Sequence, residues 1–113
     1  MEECVFCKIA NKKAPAEIIY EDKEILGFKN LYPEAPIHLL FIPKKHLLWK
    51  DEFNEEDLKI FSRLIIVAKQ VAIEKKIFDA CKLIFNIGKT GHIPHIHIHL
   101  LGGWKEEVPK RNI

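Results

Sequence analysis

Near the end of the chain, His95-Ile96-His97-Ile98-His99 sets three histidines at alternate positions among aliphatic residues. Successive side chains in an extended strand point to opposite faces, so His95, His97 and His99 share one face while Ile96, Ile98 and Leu100 share the other. A lone histidine on an apolar strand is usually a hydrogen-bonded, half-buried residue. Three in register gain little packing and carry desolvation and mutual-charge costs, which points to a use. Imidazole serves near neutral pH as nucleophile, proton carrier or metal ligand. Two chemistries stay open at this point. One is covalent catalysis by a histidine of the triad. The other is a zinc hydrolase with two of the histidines on the metal, for which no further ligands or paired acidic residues stand out.

Cys4-x-x-Cys7, His46 and one histidine of the triad add up to two thiolates and two imidazoles, the donor set of a closed structural zinc site. Unligated thiols remain an alternative. A thioredoxin-like redox pair is disfavoured, because no strand precedes these cysteines. Cys81, in an apolar run, reads as a core residue. The loop Asn86-Ile87-Gly88-Lys89-Thr90-Gly91 has the character of an anion cradle, with two glycines and an amide side chain, and equally that of an ordinary glycine turn.

The elements that must position these groups can be traced from periodicity. A short helix is predicted around 4–10, then strands at 18–21 and 24–29 joined by a tight Asp22-Lys23 hairpin. After Pro33 and Pro36, the apolar run 37–42 reads as a buried strand. Asn54 is a good helix N-cap, followed by Glu55, Glu56 and Asp57 in the first turn. The helix it opens has an apolar stripe at Leu58, Phe61, Leu64, Ile65, Ala68, Val71 and Ala72. Strands at 81–86 and 95–101 complete an α+β domain, a five-stranded, mainly antiparallel meander with the long helix on one face.

With 113 residues, the chain has the size of one domain, spanning 1–113. Lys and Arg number 18 against 16 Asp and Glu, and the lysine pairs are scattered, so nothing calls for nucleic acid. No run reaches the roughly 18 apolar residues of a membrane span, and Met1-Glu2-Glu3-Cys4 opens on acidic residues. A cytoplasmic protein with reduced thiols is expected.

Leu26-Gly27-Phe28, the stretch Ala35-Pro36-Ile37-His38 to Pro43-Lys44-Lys45-His46, Asn86-x-Gly88 and His95-Ile96-His97-Ile98-His99-Leu100-Leu101 together resemble the histidine triad (HIT) family, in its small HINT-like branch. The likeness runs from Cys4 to Gly103. It implies hydrolysis or transfer of a nucleotide, with His97 attacking the α-phosphorus of a purine nucleoside phosphoramidate to give a nucleotidyl-histidine. By the same resemblance His99 and Asn86 hold the phosphate, and Cys4, Cys7, His46 and His95 ligate zinc. His38 lends support behind them. Val5, Phe6, Ile9, Phe28, Leu31 and Leu40 line the nucleoside cleft, with Gly91 and His92 in the loop near the leaving group. The resemblance also implies a homodimer with a sheet continued across it. Within the enzymes the other option is an asymmetric dinucleoside polyphosphate hydrolase; outside them, a zinc-containing nucleotide-binding or interaction module. Two positions depart from the family pattern. Asn30 stands where an aspartate usually accepts hydrogen bonds from the ribose, which implies weaker nucleoside binding. The stretch Gly91-His92-Ile93-Pro94-His95 is short and lacks the usual hydroxyl residue, leaving His92 as a replacement donor.

Overall fold

The computed structural model describes residues 4–50, 52–87 and 93–105. In chain order the elements are α1 (Val5–Ala10), β1 (Ile18–Glu21), β2 (Ile25–Lys29), β3 (Ile37–Pro43), α2 (Glu55–Glu74), β4 (Cys81–Ile84) and β5 (Ile98–Gly102). The strands form one antiparallel sheet in the order β1-β2-β3-β5-β4. The five-stranded antiparallel sheet with the long helix is as expected, with one departure from a sequential meander. The last strand inserts between β3 and β4, because Ile98 and Leu100 are fully buried and need covering strands on both sides, whereas β4 is only partly covered.

Alternation along the strands divides the protein into two layers. Ile25, Leu39, Phe41, Ile98 and Leu100 point to α2 and form the larger core with Ile60, Leu64, Val67, Ala68 and Val71. Leu26, Phe28, Leu40 and Ile42 point the other way and meet Phe6 and Ile9 of α1. The β1–β2 turn forms as expected around Asp22, whose carboxylate accepts the Glu24 and Ile25 N–H groups at 2.8 Å each. Those bonds begin β2 at Ile25 instead of Glu24.

Asn54 caps α2, its side-chain oxygen accepting the Asp57 N–H at 2.8 Å. The buried stripe differs from the expected one. Leu58 and Ile65 are 51% and 44% exposed, and Ile60 and Val67 take their places in the core. The stripe is turned because buried Asp57 lies on it, held by Lys45 at 3.2 Å and Lys50 at 3.5 Å from the segment after β3. Leu58, Phe61 and Ile65 then fall on one flank, where Phe61 contacts Phe85 beyond β4. Strand β4 stops at Ile84, which pairs with His99, short of the predicted Asn86.

Candidate active site and metal centre

The triad is split by the start of β5. His99 is in the strand, but His95 and His97 precede it, because His95 N–H turns back to the Ile93 carbonyl and Pro94 has no N–H to offer a ladder. Ile96 N–H bonds instead to the Leu47 carbonyl at 2.7 Å. The predicted division of faces survives: Ile96, Ile98 and Leu100 join the α2 core, while the rings of His95 and His97 meet Phe6 of α1 edge-on at 5.9 and 5.0 Å.

Hydrogen bonds assign a proton to each ring. A carbonyl can only accept, so His95 Nε2–H donates to the Pro43 carbonyl at 2.8 Å and turns a bare Nδ1 toward the cysteines. His97 Nδ1–H donates to the His95 carbonyl at 2.8 Å, which leaves Nε2 as the unprotonated nitrogen. The Glu34 N–H donates to His38 Nδ1 at 3.0 Å, so His38 carries its proton on Nε2 and gives it to His99 Nδ1 at 2.9 Å. His99 must then hold its own proton on Nε2. Burial lowers the pKa of His38, His97 and His99. The neighbouring His97 and His38 push His99 further, to about 4. All three rings are neutral at pH 7.

Cys4, Cys7, His46 and His95 bring one ligand atom each to within 4.8 Å of one another. A tetrahedron with metal–ligand bonds of about 2.0–2.3 Å has edges of about 3.3–3.8 Å. The sulfur–sulfur distance is 3.1 Å, Cys7 Sγ and His46 Nδ1 are 2.9 Å apart, and His95 Nδ1 lies 3.3 and 3.6 Å from the two sulfurs. The donor set fits zinc, and the four ligand atoms converge on one point, with three sulfur–nitrogen separations inside that range and the sulfur–sulfur and Cys7–His46 separations shorter than it. Cys4 also caps α1, its sulfur accepting the Cys7 N–H at 3.2 Å, so helix and cluster share one anchor. The Pro43 carbonyl behind His95 is the outer hydrogen bond that orients a metal-bound imidazole.

Of the expected nucleoside residues, Phe6, Ile9, Phe28 and Leu40 come together under α1. Val5 is half-exposed, and Leu31, at 82% exposed, stands apart from that group. Asn30 uses its oxygen on the Tyr32 N–H at 2.8 Å, with its amide nitrogen 3.3 Å from His38 Nε2. Exposed Asn86 shares a cleft of about 180 Å³ with His95 and His97, walled by Leu48, Trp49, Phe61, Phe85, Ile87, Ile93, Pro94 and Ile96. Gly88, Gly91 and His92, and with them the anion-cradle reading, lie outside the described residues.

The family profile described as "Scavenger mRNA decapping enzyme C-term binding" matches residues 3–111. A HIT family hydrolase from Legionella pneumophila has a similar structure, with a TM-score of 0.85 and 39% identity over 95% of this chain and 98% of that one. The chain belongs to the histidine triad family. Protein HitA of Neisseria gonorrhoeae is 38% identical over 90% of this chain and 97% of its own length. The 14 kDa zinc-binding protein of Zea mays is 38% identical over 93% of this chain and 85% of its own. For this histidine triad protein, sequence reasoning missed the Pro43 carbonyl and the Glu34 N–H. Main-chain groups leave no trace in residue types. It also missed the aromatic wall that Trp49, Phe61 and Phe85 give the cleft.

Proposed function

We propose that this chain is a HINT-like nucleotide hydrolase that cleaves purine nucleoside phosphoramidates through a nucleotidyl intermediate on His97. The reading rests above all on the bare Nε2 of a neutral His97, fixed by its Nδ1–H bond to the His95 carbonyl and set beside His99, ring centroids 5.1 Å apart. In the first step His97 Nε2 bonds to the α-phosphorus as the P–N bond breaks, and the leaving amine takes a proton from solvent, which hydrolysis of the intermediate returns. Water then cleaves the N–P bond, releasing nucleoside monophosphate and free His97. His99 Nε2–H, relayed from His38, donates to a phosphoryl oxygen, and Asn86 adds a second donor. Phe6, Ile9, Phe28 and Leu40 support the base, with Val5 and Leu31 at the rim and Asn30 toward the ribose. Cys4, Cys7, His46 and His95 hold a structural zinc, which ties α1 to the triad. No helix among the described residues is long and apolar enough to cross a membrane.

The homodimer is proposed on a further observation. In the sheet order β4 is an end strand, and Leu83 on it and Leu58 and Ile65 on α2 are exposed together along one side. Such an edge invites pairing with a second copy.

The test is release of AMP from adenosine 5′-phosphoramidate by wild type and His97→Ala, with a dinucleoside tetraphosphate in parallel. Turnover that depends on His97 and favours the phosphoramidate supports the reading. Preference for the tetraphosphate moves the substrate class, and AMP binding without turnover makes the chain a binding module.

A further inference from the structure

We infer that Asn30 makes the sugar site indifferent to the 2′-hydroxyl, so that the chain takes 2′-deoxynucleotides as readily as ribonucleotides. This rests on the proposed placing of the nucleotide, with its phosphate at His97 and His99. Donors and acceptors decide the matter. The Tyr32 N–H can only donate, so the Asn30 atom 2.8 Å from it is the side-chain oxygen, and the amide nitrogen is the atom turned to His38. His38 Nδ1 accepts the Glu34 N–H, which leaves the ring proton on Nε2, and that proton goes to His99 Nδ1. At 3.3 Å the Asn30 amide and the His38 Nε2–H are therefore donor beside donor, with no hydrogen bond between them. The Asn30 oxygen is satisfied within its own turn, and what the residue has left to offer is an N–H.

A line of groups leads from the reaction centre to that amide. The rings of His97 and His99 are 5.1 Å apart, His99 and His38 bond at 2.9 Å, and the Asn30 nitrogen follows at 3.3 Å. A sugar joined to a phosphate at His99 extends along this line, and Asn30 and His38 share a cleft of about 250 Å³ with Pro33 and Pro36 that gives its edge room. The 3′ oxygen of a deoxyribose and either hydroxyl oxygen of a ribose can accept from an amide N–H, so one donor serves both sugars. A site selects strongly for a hydroxyl only where the missing hydroxyl leaves a protein group unpaired. Here nothing is left unpaired, because the Asn30 oxygen keeps the Tyr32 N–H with either sugar. Asn30→Asp changes this. It puts a charged acceptor in place of the amide nitrogen, beside a His38 proton already given to His99, and the 2′-hydroxyl is then the donor that fills it.

The experiment is calorimetric titration of zinc-loaded wild type and Asn30→Asp with AMP and with 2′-deoxy-AMP. The ratio of the two dissociation constants within one protein cancels any effect of the new charge on the phosphate or on His38. Wild type is expected to bind the two nucleotides within about threefold of each other, and N30D to favour AMP by about tenfold or more. Steady-state kinetics on the 5′-phosphoramidates of adenosine and 2′-deoxyadenosine should return the same two ratios in kcat/KM. Wild type that favours AMP by more than about threefold, or N30D with the wild-type ratio, overturns the inference. If N30D does not fold, nitrogen-15 NMR follows the Asn30 side-chain amide in wild type. Both nucleotides must shift that signal alike, and a shift with AMP alone overturns the inference equally. Binding without turnover refutes the proposed hydrolysis while the ratios still decide the role of Asn30; failure to bind either nucleotide refutes both.

Discussion

His38 and His99 face each other across 2.9 Å with a single proton between them, donated by His38 Nε2. Burial, with the neighbouring His97 and His38 adding to it, lowers the pKa of His99 to about 4. In the unfolded chain the same group titrates near its ordinary 6.5. Between these values the unfolded state binds the extra proton and the folded state does not. The stabilisation is therefore complete above pH 6.5 and lost as the pH falls toward 4. Urea unfolding at pH 7 and 4.5 should show a drop in stability that shrinks in His99→Asn. At the same scale, His97→Ala should lower AMP release by more than about 10³-fold without changing the circular dichroism spectrum, since His97 is not among the metal-ligand group. Near-normal activity in that variant would falsify the covalent route. Residue types were enough to nominate these groups; the direction of each ring was not readable, because a main-chain carbonyl decides it at His97, a main-chain N–H at His38, and His38 in turn at His99.

At the scale of elements, the sheet and α2 are close to what local patterning predicts, and their failures have local causes. The Asn54 cap reads directly from sequence, and Asn54→Ala should cost about 1 kcal/mol in denaturant titration. Gly27 was visible only as part of a motif. A Cβ there would lie 2.7 and 2.8 Å from ring atoms of fully buried Phe41 and 3.2 Å from Tyr20 Cβ. Gly27→Ala should accordingly destabilise by about 1–3 kcal/mol, with rescue by a smaller residue at 41 as the check. The predicted strand from 95 to 101 began too early because alternation of residue types persists where hydrogen bonding does not. Ile96 faces the α2 core like Ile98, yet its N–H belongs to Leu47. On α2 two apolar rows compete, and sequence periodicity alone gives no reason to bury Ile60 and Val67 in preference to Leu58 and Ile65.

Across the whole molecule, the metal cluster joins three distant parts of the chain: the cap of α1, the segment after β3, and the segment before β5. Ligand binding to the native state alone adds its full free energy to folding. The protein is therefore expected to carry one zinc per chain by native mass spectrometry, and a strong chelator should lower the Tm by at least about 5 °C. An unchanged Tm with metal removed would take the cluster out of the folding account. The exposed side of β4 and α2 gives the other prediction at this scale. Leu83→Lys should convert the proposed dimer to monomer in sedimentation analysis, because a charge at an apolar self-pairing edge meets its own copy.

By itself the sequence determined the α+β class, the two-face alternation of the triad and a metal-ligating donor set of two cysteines, His46 and one triad histidine, while the resemblance implied the family and His95 as the fourth ligand. The first three are written in residue types at fixed spacing, and strand geometry or donor chemistry converts that spacing directly into placement. Tertiary structure alone decided that β5 enters between β3 and β4, that α2 turns to bury Asp57 and Ile60, and that His97 presents Nε2. These depend on which long-range partners satisfy buried groups. The Lys45 and Lys50 ammonium groups on Asp57, the Pro43 carbonyl behind His95 and the His95 carbonyl under His97 become neighbours only once the chain has folded.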